Sequence, residues 1–163
     1  MSSKMRVGIG YDVHPLASGR RLVLGGIDIP FHKGLSGWSD ADVLTHAIID
    51  ALLGAAALGD IGSHFPPGEP QYKDISSLTL LKRVRDGLVE NDWQIVNVDA
   101  TIVAERPKLR DFIDQMRQQL SQTLGIALSQ VGVKASTSAQ LGFVGQGEGI
   151  AACAVALIES ISD

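Results

Sequence analysis

The chain has 163 residues, 45% of them hydrophobic and 20% charged, with a formal net charge of −4. That composition suffices for one compact globular domain and argues against disorder and against non-specific nucleic-acid binding, since no lysine/arginine run tracks a phosphate backbone. The first four residues lack the apolar core of a signal peptide, and the longest apolar run, Ile150–Ile158, is far shorter than the roughly 20 residues of a spanning helix, so the sequence reads as cytoplasmic, or as the mature part of an imported protein.

Arg6–Val13 (RVGIGYDV) reads as a strand, which sets Asp12 and His14, at i and i+2, on one face. Arg21–Leu24 and Ile27–Pro30 flank Gly25-Gly26, a dipeptide that favours a tight hairpin. Ser39, followed three residues later by Asp42, is an N-capping signature, and apolar residues at helical spacing then predict a helix over 40–58, with His46 about two turns in. Gly59-Asp60-Ile61-Gly62 ends that helix, and His64–Pro70 must be irregular because Pro66 and Pro67 cannot continue a helix. A helix over about Ser76–Asn91, a strand over Gln94–Ala104 broken by Pro107, a helix over about Arg110–Leu124 and strands Val131–Ser136 and Ile150–Ile158 complete the pattern. The alternation implies a single α/β domain of the α+β type over 1–163, with a mixed sheet, helices on one face, and residues 1–4 as a flexible N-terminus. Cys153, the only cysteine, falls inside the last apolar run and reads as a buried small hydrophobe in a reducing compartment.

Asp12, His14 and His46 are the chemically richest set. Two imidazoles and a carboxylate suit a catalytic metal with an open position, zinc being the first choice. The same residues fit strand-end turn contacts and one satisfied core histidine equally well. Asp42 and Asp50, one turn either side of His46, are candidates to accept its second ring N–H. The glycines around Asp60 let backbone amides approach a ligand, although a helix stop accounts for them slightly better. Ala104–Arg110 (AERPKLR) could hold an anion, and Lys134–Ser138 (KASTS) offers three hydroxyls suited to phosphate or a nucleobase edge; both patterns also occur in ordinary surface turns. Gly142–Gly149 carries no Walker-type lysine and opens no apparent helix.

In order and content, GYDVH at 10–14, SDADVLTHAIIDALLGAAALGDIG at 39–62, NVDATIVAERPKL at 97–109 and KASTSAQLGFVGQGEGIA at 134–151 resemble the 2-C-methyl-D-erythritol 2,4-cyclodiphosphate synthase family over nearly the whole chain. The resemblance implies a homotrimer whose active sites are shared between neighbours, one supplying the metal and the other a cytosine pocket. It implies cyclisation of 4-diphosphocytidyl-2-C-methyl-D-erythritol 2-phosphate with release of CMP, in non-mevalonate isoprenoid biosynthesis. Carried over by motif, Asp12, His14 and His46 are the ligands of one zinc per subunit, and Asp12 and His14 also face substrate. Asp60, Ile61 and Gly62 are the ribose and diphosphate contacts, and Ala104, Lys108 and Leu109 line the cytidine pocket. Ser136, Thr137 and Ser138 meet phosphate, with Thr137 at the position of a transition-state stabiliser, and a second divalent cation, Mg²⁺ or Mn²⁺, arrives with the diphosphate.

The chain also departs from that pattern. Trp38 stands where the family has a stabilising histidine, so either the backbone amides of Trp38 and Ser39 do that work, the favoured expectation, or Trp38 serves as an apolar wall for the methylerythritol. Phe65-Pro66-Pro67-Gly68-Glu69 lacks an acid that contacts the substrate diol, leaving Glu69 as a partial substitute. Ala139 replaces a glutamate that ligates the second cation, and Gln146, beside Phe143, replaces an arginine facing the trimer axis, which weakens that cavity's attraction for a diphosphate. A zinc phosphohydrolase and a non-catalytic isoprenoid-diphosphate-binding trimer are the competing readings; the cytidine turn argues against the first and the retained metal ligands against the second.

Overall fold

The computed structural model describes residues 4–161; the expectation of a flexible N-terminus falls, for residues 1–3, outside them. The strands are β1 (Met5–Ala17), β2 (Leu22–Leu24), β3 (Ile27–Ile29), β4 (Gly34–Leu35), β5 (Trp93–Val103), β6 (Val131–Ser136) and β7 (Gly149–Ser160). The helices are α1 (Val43–Ala55), α2 (Ile61–His64), α3 (Ser77–Glu90), α4 (Ile113–Leu124) and α5 (Gly142–Gly145). Five strands form one mixed sheet in the order β4-β1-β7-β5-β6, and β2-β3 form a separate hairpin. Among the described residues only the β5–β6 pair is parallel, so this is the expected α/β domain with a mixed sheet.

Two glycines decide how α1 sits on that sheet. Gly8 and Gly10 share the inner face of β1, and a Cβ on Gly10 would lie 1.9 Å from the Ala47 carbonyl oxygen, one on Gly8 2.0 Å from that of Ala51. Helix backbone therefore rests directly on strand backbone, with Ala47, Ala51 and Ala55 as the facing small residues. Two residues along the same face come Asp12 and then His14, so the contact that packs the core also carries His46 to Asp12.

The outer face of the sheet is apolar as well. Met5, Val7, Ile9, Tyr11, Val13 and Val155 are exposed there, Ile9 by 76%. Cys153 is exposed too, opposite Tyr11 in the register, which corrects the expectation that it is buried. A strand with apolar residues on both faces gives no alternation from which to read its inward side.

The expected helix over 40–58 is shorter at both ends. Ala41 has φ 58°, outside helical space, and Asp42 rather than Ser39 is the N-cap, its carboxylate accepting from the Thr45 amide at 3.0 Å. The same carboxylate accepts the amides of Gly25 and Gly26 at 2.9 and 2.8 Å, in a turn where both glycines have positive φ. At the other end Ala57, with φ 58°, stops α1 before Gly59. His64 closes α2 instead of opening an irregular loop, a 3-10 turn follows at Pro70–Tyr72, and Gly142–Gly145 is one helical turn where none was expected.

Candidate active site

Asp12, His14 and His46 offer one ligand atom each, all within 4.8 Å of one another. Asp12 Oδ2 stands 3.1 Å from His14 Nε2 and 2.9 Å from His46 Nδ1. Each ring is anchored by its other nitrogen. His14 Nδ1–H donates to the Ser36 carbonyl at 2.9 Å, which frees Nε2, and His46 Nε2 meets Ser77 Oγ at 2.8 Å and Ser39 Oγ at 3.2 Å, which frees Nδ1. Imidazoles held this way, with a carboxylate between them, fit a borderline-soft divalent metal such as zinc.

The electrostatics follow from the same contacts. Burial alone would raise the Asp12 pKa, but hydrogen bonds and charge from His14 and His46 hold it down to about 2. Burial works against the charged form of His14; the Asp12 hydrogen bond and charge outweigh it and raise its pKa above 6.5.

Neither Asp42 nor Asp50 accepts from His46, contrary to expectation. Asp42 is consumed by capping and by the hairpin turn, and Asp50 accepts the Ile61 amide at 2.8 Å. The partner is Ser77, at the start of α3, whose hydroxyl and amide both donate to the Asp40 carboxylate. Sequence reasoning missed Ser77 and Asp40; only the unexplained acid at 40, next to the capping pair, could have hinted at them.

The loop before α1 closes over the triad. A Cβ on Gly37 would lie 2.9 Å from His14 Cε1, so the backbone there packs on the imidazole. Arg20 ties this loop down by donating to the carbonyls of Leu35, Gly37 and Ser39. The Trp38 indole N–H donates to the Glu69 carbonyl at 2.9 Å, while the Glu69 carboxylate accepts from Gln71.

Asp60 caps α2 in a capping box with Ser63, whose amide and hydroxyl lower its pKa. Through the Asp50–Ile61 bond, the segment Asp60-Ile61-Gly62 is folded back along α1 toward the triad. Ala104, Lys108 and Leu109 line an open cavity of 860 Å³ with Ser136 and Thr137. The Ala104 amide donates to the Ser136 carbonyl at 3.0 Å, joining the two segments. Ser138 lies just beyond that lining, and Phe143 and Gln146 lie apart on and after α5. None of the triad lines the cavity: β1 and β6 are three strand spacings apart, about 14 Å at roughly 4.8 Å each.

Three potential metal ligands lie toward one edge of the mixed sheet and an open cavity lies toward the other, an arrangement that suits an enzyme of the α/β class. The YgbB family model matches residues 5–159. A 2-C-methyl-D-erythritol 2,4-cyclodiphosphate synthase from Dehalococcoides mccartyi (strain CBDB1) is 64% identical over 155 residues, covering 95% of this chain and 99% of the relative. Among solved structures, Plasmodium falciparum IspF in complex with CDP matches with TM-score 0.86 at 30% identity, covering 99% of this chain and 100% of that one. The bifunctional IspDF from Campylobacter jejuni matches with TM-score 0.94 at 38% identity; the match covers 98% of this chain but 43% of that longer one. The chain belongs to the YgbB family. Its activity is 2-C-methyl-D-erythritol 2,4-cyclodiphosphate synthesis, that of a phosphorus–oxygen lyase in the non-mevalonate isoprenoid pathway.

Proposed function

We propose that the chain cyclises 4-diphosphocytidyl-2-C-methyl-D-erythritol 2-phosphate in active sites shared between the subunits of a homotrimer, with zinc held by Asp12, His14 and His46. The observation that carries this reading is the convergence of three ligand atoms within 4.8 Å, with both imidazoles locked from behind. When bound, the metal supplies positive charge and orientation for a phosphate oxygen. The chain's own contribution is positioning: the substrate 2-phosphate oxygen forms a bond to the β-phosphorus as the bond to the α-phosphate oxygen breaks, and CMP departs with that electron pair.

The amides of Trp38 and Ser39 suit the attacking phosphate, that of Ser36 being spent on the Pro15 carbonyl. Arg20 draws the Gly37 carbonyl to itself, and in a trans peptide the Trp38 N–H then points the opposite way. The indole N–H is engaged with Glu69, so the backbone, not the tryptophan side chain, takes the stabilising role. Thr137 and its neighbours Ser136 and Ser138 present hydroxyls to phosphate, and the cavity at Ala104, Lys108 and Leu109 receives the cytosine edge. Asp60, Ile61 and Gly62 contact the ribose and diphosphate; a second divalent cation, Mg²⁺ or Mn²⁺, would find alanine rather than a carboxylate at position 139 and would depend on phosphate oxygens and water.

The two half-sites lie toward opposite edges of one sheet, and the outer sheet face is apolar and open. A heterologous, closed interface apposes the β6 side of one copy to the β1 side of the next. Phe143 and Gln146 then face the trimer axis. The test is mixing: His46→Ala subunits and subunits with Lys108 and Leu109 replaced are each inactive alone. Exchanged together they are expected to regain cyclodiphosphate formation, read by ³¹P NMR. Demonstrated exchange without regained activity overturns the shared site.

A further inference from the structure

Ala139 and Gln140, in the turn directly after Thr137, have φ of 52° and 65°, a left-handed conformation that residues with a Cβ resist. Nothing in their own chemistry explains that choice. Glycine is absent from both positions, and Gly145 packs so closely that a Cβ on it would lie 2.1 Å from the Gln140 carbonyl carbon, which leaves the turn no slack on that side.

The opposing side is occupied by Glu105. Its Oε2 accepts the Ser138 amide at 3.1 Å and its Oε1 the Gln140 amide at 3.2 Å. Glu105 follows Ala104, whose own amide donates to the Ser136 carbonyl, so three bonds from two consecutive residues staple the turn to the end of β5. Among the described residues no cation lies within ion-pair distance of the Glu105 carboxylate. The backbone amides of Ser138 and Gln140 bind it through charge-assisted bonds that favour this turn geometry. The Ala139 amide meets Thr137 Oγ1 at 3.3 Å, so the threonine hydroxyl depends on that same geometry.

We infer that Glu105 is a positioning residue for the cyclisation: its carboxylate clamps the 137–140 turn in a left-handed shape and so places the Thr137 hydroxyl against the base cavity. The inference rests on the proposed role of Thr137. Glu105 also borders the cavity, with both carboxylate oxygens engaged by the amides of the turn. Its negative charge would repel a phosphate unless it were held back by the two amides, so the clamp both shapes the turn and confines the charge.

Glu105→Ala removes both acceptors, and Glu105→Gln, nearly isosteric, keeps one oxygen and loses the charge. Misplacement of a reacting group by about 1 Å costs on the order of 10²-fold. Glu105→Ala is therefore expected to lower kcat about that much with KM, CDP affinity and thermal midpoint preserved, and with faster amide exchange in 137–141. Glu105→Gln is expected between parent and alanine. Unchanged kcat in Glu105→Ala overturns the clamp, as does a loss of CDP affinity equal to the loss of turnover, which would place Glu105 in the base pocket alone. Thr137→Ala, measured alongside, separates the two readings: full turnover in it removes the threonine's role, while loosened exchange and reduced kcat in Glu105→Ala still uphold the clamp on the turn.

Discussion

Replacing Ser77 by alanine tests how His46 is made into a ligand. Ser77 Oγ takes the His46 Nε2–H at 2.8 Å and donates its own proton to Asp40, and the His46 side chain is only 9% exposed. Without the hydroxyl, the N–H keeps just the longer Ser39 contact at 3.2 Å, and water has little room to substitute. An underserved buried donor costs about 1–3 kcal/mol. At about 1.4 kcal/mol per tenfold, most of that cost appears as a loss of roughly 10–100-fold in metal affinity, the range typical for partners that orient ligating histidines. Titration of the metal-free protein against a chromogenic chelator measures it directly, and Ser77→Thr, which retains the hydroxyl, is expected to restore affinity. Parental metal affinity in Ser77→Ala would refute the reasoning, for the ring would then need no support from α3.

Further outcomes follow from neighbouring contacts. Gly10→Ala drives a Cβ into the Ala47 carbonyl at 1.9 Å; overpacking of this kind costs about 1–3 kcal/mol or more, so both the denaturation midpoint and zinc content should fall, and a protein with unchanged zinc would separate the helix contact from the metal site. Trp38→Phe deletes an N–H already spent on Glu69 and should change turnover only modestly; a drop of about 10²–10³, typical of a lost stabilising donor, would transfer the role to the indole. In the metal-free protein the raised His14 pKa means that the Asp12–His14⁺ contact stabilises fully below 6.5 and is lost as pH rises through the raised value. Over that same window a bound metal no longer competes with the proton, so the gap in thermal midpoint between metal-loaded and chelated protein should widen with pH. A constant gap would show that His14 is not a ligand.

Much of this protein is legible in its chain because short-range periodicity governs it. The period of two along β1 places Gly8, Gly10, Asp12 and His14 on one face, and the bounds of β6 and nearly those of α3 follow from local pattern. Long motifs carry the family resemblance by residue order alone. The remainder depended on residues distant in sequence. Helix α1 begins at Val43 rather than 40 because Asp40 is drawn to Ser77, which lies 37 residues away, and Ala41 turns left-handed between them. His46 finds Ser77 instead of Asp42 or Asp50 because those carboxylates are claimed by the backbone amides of Gly25, Gly26 and Ile61. Cys153 faces outward because it alternates with the buried Ala152 and Ala154 along β7, and its side was not legible because the sheet is apolar on both faces and local pattern cannot say which one another element will cover. Such choices are competitions among donors and acceptors for one partner, and they are decided only when packing brings all the competitors within reach.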